Sequence, residues 1–290
     1  MRLKKKILIT GGNSLIGKDL VKYFLKNYFV ISTFREKKIA LKHSNLKQIK
    51  FDFNKNLNLN EEIDYLIHLA ASTPTNSKVN KKMLDTNKSG IIKVLNNNFN
   101  FKSLILISTL SVYGKITKKI LNENYKPYKV DYYGKSKIQM ENYLKKYAKK
   151  KSINYLILRL PAVIGNFKCK TTFMNRVFEK LYDNRDLFYE NPNSFTNNII
   201  HTETLSKIID SFFKSCNPKN KIFNLCSGKK ERLKDIIQLI YKKFNSKSKI
   251  RSTTQNNSFL ISTKKIIANK IKIIDTKKTI LKTIKFYKKI

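Results

Sequence analysis

Several residue types are scarce in this 290-residue chain, and each scarcity excludes a class of protein. No apolar run approaches the roughly 18–20 residues of a transmembrane helix, so we expect no membrane span. The apolar run within MRLKKKILITGG ends after about four residues, short of the about 7–15 in a signal peptide. We therefore interpret this stretch as a first β-strand and expect a cytoplasmic protein.

Cysteine and histidine are too few and too scattered to suggest a disulfide framework or a metal site. The three cysteines form no CxxC pair, so we expect reduced thiols. The three histidines are far apart in the sequence, and we expect no zinc. These residues are Cys169, Cys216, Cys226, His43, His68 and His201.

Acidic residues are also scarce: 19 Asp and Glu stand against 61 Lys and Arg, a net charge of +42. Such a balance usually indicates nucleic acid or an anionic surface as a partner. Here the lysines are spread along the whole chain among Asn and Ile, which favours a coding bias over a binding patch. We expect weak, salt-sensitive adsorption to polyanions and no specific nucleic-acid binding.

Glycine occurs only eight times, so each one should stand where the backbone geometry requires it. All eight fall inside the candidate motifs described below. They are Gly11, Gly12, Gly17, Gly90, Gly114, Gly134, Gly165 and Gly228.

The stretch Ile7–Gly17, ILITGGNSLIG, predicts the start of a dinucleotide-binding unit. Ile7–Thr10 reads as a buried strand, two glycines form a turn, and Gly17 opens an apolar-periodic helix. Glycine lets the backbone approach a pyrophosphate, and the helix N-terminus offers free N–H groups. Ser14 stands where the middle glycine of this motif is usually found.

Strand-like and helix-like segments alternate, which predicts an α/β fold with a Rossmann-type, doubly wound parallel sheet. We expect residues 1–165 to form the dinucleotide-binding domain, with 202–226 returning to it. Residues 166–201 and 227–290 would form a smaller mixed C-terminal substrate lobe. The predicted strands of the sheet include Ile7–Thr10, Phe29–Phe34, Gln48–Phe53, Asp64–Ala71, Ser103–Ser108 and Asn154–Leu160.

Tyr133 and Lys137 stand four residues apart at the start of a predicted helix, so they share a face. A nearby ammonium should lower the pKa of the phenol toward working pH, as general acid–base chemistry requires. Thr109 follows a predicted strand and could hydrogen-bond a substrate oxygen there. Ser108 and Ser111 are rivals for that role, and any of these hydroxyls could instead satisfy local backbone groups.

Taken together, these motifs resemble those of the extended short-chain dehydrogenases/reductases, in the NAD-dependent epimerase/dehydratase family that acts on nucleotide sugars. The resemblance covers nearly the whole chain, with the motifs in the family's order. The matching segments are Thr10–Gly17, His68–Ala71, Asn87–Gly90, Ser108–Gly114, Tyr133–Lys137, Leu158–Gly165, His201–Ser206 and Asn224–Gly228.

The resemblance implies roles for individual residues. Tyr133 would be the catalytic acid/base, Lys137 would lower its pKa and hold the nicotinamide ribose, and Thr109 would orient the sugar oxygen. The remaining cofactor contacts implied are Gly11, Gly12, Asn13, Leu15, Ile16, Gly17, Asp52, Leu69, Ala70, Ala71, Pro161 and Val163. His68 and His201 are interpreted as structural.

The resemblance further implies an NAD(P)-dependent oxidoreductase or epimerase of a nucleotide-activated sugar, in cell-surface polysaccharide or deoxysugar synthesis. We favour a 4-ketoreductase over a 4-epimerase. The alternative of another class is a non-catalytic NAD(P)-binding sensor or scaffold. Family members often form homodimers, and the helices around Leu95 and Tyr143 could serve here.

Three departures from the family pattern refine this expectation. Leu110 and Ser111 replace the acids of the 4,6-dehydratases, which argues against dehydration. Asn197 replaces an arginine for the nucleotide diphosphate, a role left to nearby cations. Arg35, after the second strand, could pair with a 2′-phosphate and favours NADP, whereas Glu36 keeps NAD open. The cations that could replace the lost arginine are Arg176, Arg185, Arg232 and neighbouring lysines.

Overall fold

The fold was analysed in a computed structural model that describes residues 4–53, 55–57, 59–74, 77–97, 99–215, 219–254 and 258–290. The strands are β1 (Lys6–Thr10), β2 (Phe29–Phe34), β3 (Leu46–Lys50), β4 (Tyr65–His68), β5 (Ser103–Thr109), β6 (Ile120–Leu121), β7 (Asn154–Leu160), β8 (Ala162–Ile164), β9 (Leu187–Glu190), β10 (Phe195–Thr196), β11 (Ile199–His201), β12 (Lys221–Asn224), β13 (Glu231–Arg232), β14 (Ile250–Thr253) and β15 (Leu260–Ile261). The α-helices are α1 (Leu15–Phe24), α2 (Lys81–Leu95), α3 (Tyr132–Lys150), α4 (Phe173–Tyr182), α5 (Thr202–Ser215), α6 (Leu233–Phe244), α7 (Lys264–Ala268) and α8 (Thr276–Tyr287). A 3₁₀-helix spans Leu110–Tyr113.

Seven strands form one sheet in the order β12-β7-β5-β4-β1-β2-β3. The pairs β1–β2, β1–β4, β2–β3 and β4–β5 are parallel. From β1 the chain first adds strands on one side and then returns to add β4 on the other. The strand order therefore switches between β1 and β4, where doubly wound folds bind ligands. This architecture confirms the predicted fold class.

The chain divides into two compact units, each with its own core. The first unit comprises residues 1–115, 126–159 and 206–223; its core includes Leu8, Leu66, Leu104 and Ile157. The second unit comprises residues 116–125, 160–205 and 224–290. Its short strands pair as β6–β15, β8–β11, β9–β14 and β10–β13. Substrate binding by the second unit stays a prediction.

Two predicted strands end earlier than expected. The strand predicted over Asp64–Ala71 is β4, which ends at His68 because the Thr10 hydroxyl accepts from the N–H of Ala70 at 3.3 Å. The strand predicted over Gln48–Phe53 ends at Lys50, before a turn in which Lys55 N–H donates to the Asp52 carbonyl at 3.0 Å. A hydrogen bond between distant residues therefore follows the end of β4, and a local turn follows the end of β3.

Two further expectations concern cysteines and membrane spans. Cys169 and Cys226 are buried and free, whereas Cys216 lies outside the described residues. No helix in the described ranges combines the length and the apolar character that crossing a bilayer requires.

Candidate functional site

The turn after β1 depends on glycine at residue 11. Gly11 has a φ of +72°, and a Cβ there would meet the backbone of Ala70 at 2.9 Å. Its N–H donates to Thr33 Oγ1 on β2 at 3.0 Å. The turn is thus held between the segment after β4 and the neighbouring strand, in a conformation that other residues rarely adopt.

Ser14, which stands where a glycine is usual in this motif, is the N-cap of α1. Its Oγ accepts from the N–H of Gly17 at 3.1 Å, as the N-cap of α1. A Cβ on Gly17 would collide with the Gly11 carbonyl oxygen. Within the described part of the chain, the first-turn N–H groups of Leu15 and Ile16 have no partner in the helix, which leaves them for an anion.

A dinucleotide pyrophosphate fits this cradle. Gly12 is buried, Asn13 is half-buried, and the turn leads directly into the positive end of a ten-residue helix. Backbone N–H groups and close-approach glycines are the groups by which proteins hold a pyrophosphate. The residues predicted from the sequence for this contact therefore lie together in one loop–helix segment.

The segment after β4 carries the predicted cofactor residues Leu69, Ala70 and Ala71, all half-buried. Asn87 of α2 holds its continuation: its Oδ1 accepts from Ser72 N at 2.6 Å, and its Nδ2 donates to Ser72 O at 3.0 Å. This amide clamp fixes the path of the segment past the carboxyl edge of the sheet.

His68 has the structural role that we expected. It is fully buried at the end of β4, with Nδ1 2.9 Å from the Thr10 hydroxyl. Burial lowers its pKa to about 3, aided by the charge of Lys137. The ring is therefore neutral at working pH and supports the two strand ends.

The end of β2 carries both cofactor-selecting candidates. Arg35 and Glu36 are exposed and form an ion pair with an Nη2–Oε1 distance of 2.9 Å. Asn13 Nδ2 donates to the Lys37 carbonyl at 3.2 Å, which links this segment to the glycine turn. An exposed ion pair is weak, so a ligand could recruit either partner. Asp52, expected near adenine, lies half-buried after β3, and its contact stays a prediction.

The three candidate hydroxyls after β5 differ in their partners. Ser108 is buried and donates to Glu141 Oε1 at 2.6 Å. Thr109 is half-buried; its Oγ1 accepts from Ser111 N at 3.2 Å and caps the 3₁₀-helix. The hydroxyls of Thr109 and Ser111 are also 3.2 Å apart. Thr109 and Ser111 thus remain the candidates for a substrate contact, while Ser108 serves the interior.

Tyr133 and Lys137 lie in the first turns of α3, which begins after the capping residue Asp131. The Asp131 carboxylate accepts from Gly134 N at 2.7 Å. Lys137 is only 3% exposed, and its Nζ donates to the Ile107 carbonyl at 3.1 Å. Burial lowers the pKa of Lys137 to about 8, and Glu141 opposes that change.

The expected pKa shift of Tyr133 is wrong in sign. We expected Lys137 to lower the pKa of the phenol, but burial raises it to about 12, with a smaller contribution from the Asp131 carboxylate. Burial disfavours the charged phenolate, and the neighbouring carboxylate adds to that effect. The protein alone thus holds Tyr133 as a proton donor.

Two glycines bring the Thr109 and Tyr133 segments into backbone contact. A Cβ on Gly134 would collide with the Ser111 carbonyl oxygen. Gly114 has a φ of +66°, and a Cβ there would collide with the Tyr128 carbonyl oxygen. The hydroxyl segment and the start of α3 are therefore packed without side chains between their backbones.

Sequence reasoning gave no role to Asn87 and Glu141, which are buried, or to Arg159, which is half-buried. Asn87 Nδ2 also donates to Ser136 Oγ on α3 at 2.9 Å, and Glu141 and Arg159 form an ion pair at 2.7 Å. Asn87 lies inside a quoted motif, which could have marked it. Glu141, one helical turn beyond Lys137, could have suggested an ion pair, but its partner Arg159 is 18 residues away in the sequence.

The remaining predicted residues belong to the second unit. Val163 lies in β8, paired with Ile200 of β11, and Pro161 precedes that strand. Their assignment to the nicotinamide pocket stays a prediction. His201 Nδ1 accepts from Glu203 N at 3.1 Å, which orders the start of α5.

Asn197 and the cations proposed to replace the missing arginine also lie in the second unit. Asn197 Nδ2 donates to Ile261 O at 2.8 Å, and its Oδ1 accepts from Ile261 N at 2.9 Å. Arg185 pairs with Asp183 at 2.8 Å, and the Arg232 guanidinium lies 5.5 Å from the centre of the Phe195 ring. Asn197 is thus a backbone clamp.

Comparison with known proteins supports this description. A family model described as the NAD dependent epimerase/dehydratase family matches residues 7–226. An ADP-L-glycero-D-manno-heptose-6-epimerase from Brachyspira hyodysenteriae is 27% identical over 83% of this chain and 82% of its own length.

Solved structures share the fold at low sequence identity. A UDP-glucose 4-epimerase from Thermotoga maritima, solved with UDP-glucose, has a TM-score of 0.79 at 17% identity, covering 98% of this chain and 99% of its own. A UDP-glucuronic acid 4-epimerase from Bacillus cereus in complex with NAD has a TM-score of 0.76 at 18% identity, covering 98% and 97%.

Proposed function

The chain belongs to the NAD dependent epimerase/dehydratase family, and from that premise we propose that it oxidises or reduces a nucleotide-activated sugar. The observation that carries the proposal is the buried ammonium of Lys137 on the same helix as Tyr133. Burying a lysine costs much free energy. Because Lys137 shares a helix face with Tyr133, a catalytic role would account for its burial.

The proposed cofactor is a nicotinamide dinucleotide, which when bound would supply the site that accepts and returns hydride. The turn Gly11–Gly17 would hold its pyrophosphate, and Leu69–Ala71 would line its path. Lys137 would also bind its ribose. NAD is supported by the family and by the Bacillus cereus structure; NADP is supported by exposed Arg35 at the end of β2.

Tyr133 would exchange a proton with the sugar oxygen at its phenol oxygen. As a neutral phenol it is ready to protonate that oxygen in reduction; in oxidation, cationic Lys137 would stabilise the phenolate. Thr109 would orient the oxygen by a hydrogen bond. Residues 110 and 111 carry no acid, so the proposal includes no elimination of water.

Two outcomes of this chemistry have separate support. An epimerase, which oxidises and re-reduces one sugar, is supported by the names of the similar proteins. A 4-ketoreductase, which exchanges its cofactor at each turnover, is supported by exposed Arg35, which could pair with the 2′-phosphate of NADP(H). Homodimer formation and a role in polysaccharide synthesis remain proposals by resemblance.

The test is a pair of variants one residue apart. With UDP-, ADP- and GDP-sugars and either dinucleotide, Tyr133→Phe should lose about 100-fold or more in kcat, because its acid–base group is gone. Tyr132→Phe, which changes a more exposed neighbour, should keep the wild-type kcat. Undiminished turnover by Tyr133→Phe would refute the catalytic role. Dinucleotide binding without turnover of any sugar would favour the non-catalytic alternative.

A further inference from the structure

A buried carboxylate on α3 joins three elements of the first unit. Glu141 lies four residues beyond Lys137 and is 2% exposed. Its Oε1 accepts from Arg159 Nε at 3.0 Å and its Oε2 from Arg159 Nη2 at 2.7 Å, which is a two-pronged pair. Arg159, at the end of β7, also donates from Nη1 to the Tyr113 hydroxyl at 2.7 Å.

The same carboxylate reaches the strand that leads to Thr109. Ser108 donates to Glu141 Oε1 at 2.6 Å, and Lys137 Nζ donates to the carbonyl of Ile107 at 3.1 Å. Two side chains one helical turn apart therefore hold consecutive residues of β5, immediately before Thr109. Any displacement of Glu141 would be transmitted to the end of that strand.

The charges of this cluster are unequal. Lys137 and Arg159 are cations, and Glu141 is the carboxylate that interacts with both. His68 and Tyr133 are neutral at working pH, because burial lowers the pKa of His68 to about 3 and raises that of Tyr133 to about 12. The Asp131 carboxylate caps the start of α3 and acts on Tyr133. Arg159 is half-buried and pairs with Glu141, so this one carboxylate serves both cations.

We propose that Glu141, fixed by Arg159 and Ser108, is a positioning residue that keeps the buried Lys137 charged and holds the Thr109 strand end. This inference rests on the proposed function for its catalytic consequence. Its electrostatic part concerns Lys137 itself and can be measured without any substrate.

The substrate-free test uses the pH dependence of folding stability. A lysine whose pKa is about 8 when folded and 10.5 when unfolded binds fewer protons in the folded state between those values. Its contribution to the free energy of unfolding therefore rises with pH across that window. Subtracting the pH profile of Lys137→Met, measured by urea unfolding, isolates this contribution.

Two variants should move the start of that rise in opposite directions. Glu141→Gln removes the anion that favours the ammonium, so the rise should start at lower pH. Arg159→Met removes the guanidinium that pairs with Glu141, which leaves the carboxylate to favour the ammonium more strongly, so the rise should start at higher pH. Because Arg159 acts through Glu141, the double variant should start its rise near that of Glu141→Gln. Each profile is compared with the same variant carrying Lys137→Met. An unchanged onset in both single variants would overturn the inference.

Activity supplies the second readout. The alkaline limb of kcat/KM should move to lower pH in Glu141→Gln and to higher pH in Arg159→Met, whereas a purely structural role would leave both limbs in place. Shifted stability profiles in a protein that turns over no sugar would contradict the proposed function alone. Turnover with unshifted profiles would contradict the role of Glu141 alone.

Discussion

At the scale of single residues, the side chain of Asn197 shows how a departure from a family pattern can acquire a structural role. Asn197 is 4% exposed. Its side chain pairs with the backbone of Ile261 as a neighbouring strand would: it donates to the Ile261 carbonyl and accepts from the Ile261 N–H. Its own carbonyl accepts from Ser227 N at 3.1 Å. The sequence showed only that this position lacks the arginine of the family pattern. It could not show the contact with Ile261, which is 64 residues away.

We predict that Asn197→Ala lowers the free energy of unfolding by about 2–4 kcal/mol, because it leaves a buried N–H and a buried carbonyl of Ile261 unpaired. Asn198→Ala is the matched control. Asn198 donates one side-chain bond, to Phe259 O at 3.0 Å, so this change should cost about 1 kcal/mol. Urea unfolding measures both. Equal costs for the two variants would contradict the clamp.

The sequence predicted which residue types stand at the candidate site, but it gave the wrong direction for the pKa shift of Tyr133. Tyr133 and Lys137 share one helix, and their types and spacing were sufficient to predict an acid–base pair. The pKa of the phenol depends on burial, which no spacing reveals. Glu141 and Arg159 are 18 residues apart and meet only because α3 packs beside β7.

At the scale of elements, local sequence patterns predicted the helices well. The periodicity of the sequence predicts helices over Thr276–Tyr287 and Tyr133–Lys151. Helix α8 has the first of these bounds, and α3 begins and ends one residue earlier than the second. Strand ends were less predictable, since a hydroxyl or a turn from elsewhere decides them. The end of β4, where Thr10 captures the N–H of Ala70, is one example.

The contact between α3 and the 3₁₀-helix yields a prediction in which two effects oppose each other. Gly→Ala inside a helix usually stabilises by about 0.5–1 kcal/mol. At Gly134 the new methyl group would collide with the Ser111 carbonyl, and overpacking of this kind costs about 1–3 kcal/mol. We therefore expect Gly134→Ala to destabilise the protein in urea unfolding.

Lys135→Ala is the control, because it changes an exposed neighbour on the same turn. It should leave the unfolding midpoint close to wild type, whereas Gly134→Ala should also lower kcat by displacing Tyr133 from the Thr109 segment. A stabilised Gly134→Ala protein would show that the two segments are not packed as described.

At the scale of the whole molecule, lysines and arginines far outnumber the acidic residues, and several of these acids form ion pairs. Among the residues that the structure describes, the acids that form ion pairs with lysine or arginine include Glu36, Glu61, Asp64, Glu141, Asp183, Glu203 and Asp210. Most of these pairs are partly exposed and contribute little to stability. The excess lysines then favour weak polyanion adsorption that should weaken with salt.

The order of the large sheet carries the central claim. The alternation of strand-like and helix-like segments predicted a parallel sheet. Because the strand order reverses between β1 and β4, the glycine turn, Leu69–Ala71 and the end of β2 lie at one edge of this sheet. The identity of the sugar depends on side chains that the family motifs do not specify, so sequence could not predict it. The claim that does follow is that this edge binds a nicotinamide dinucleotide.

The most direct measurement is to denature the purified protein, identify any dinucleotide released, and titrate the native protein with NADH and NADPH in the same session. We predict one nicotinamide dinucleotide per chain. Retained NAD would indicate the epimerase, and free exchange with stronger NADPH binding would indicate the reductase and a role for Arg35. Neither retention nor binding would contradict the dinucleotide assignment of Ile7–Gly17, and with it the proposed function.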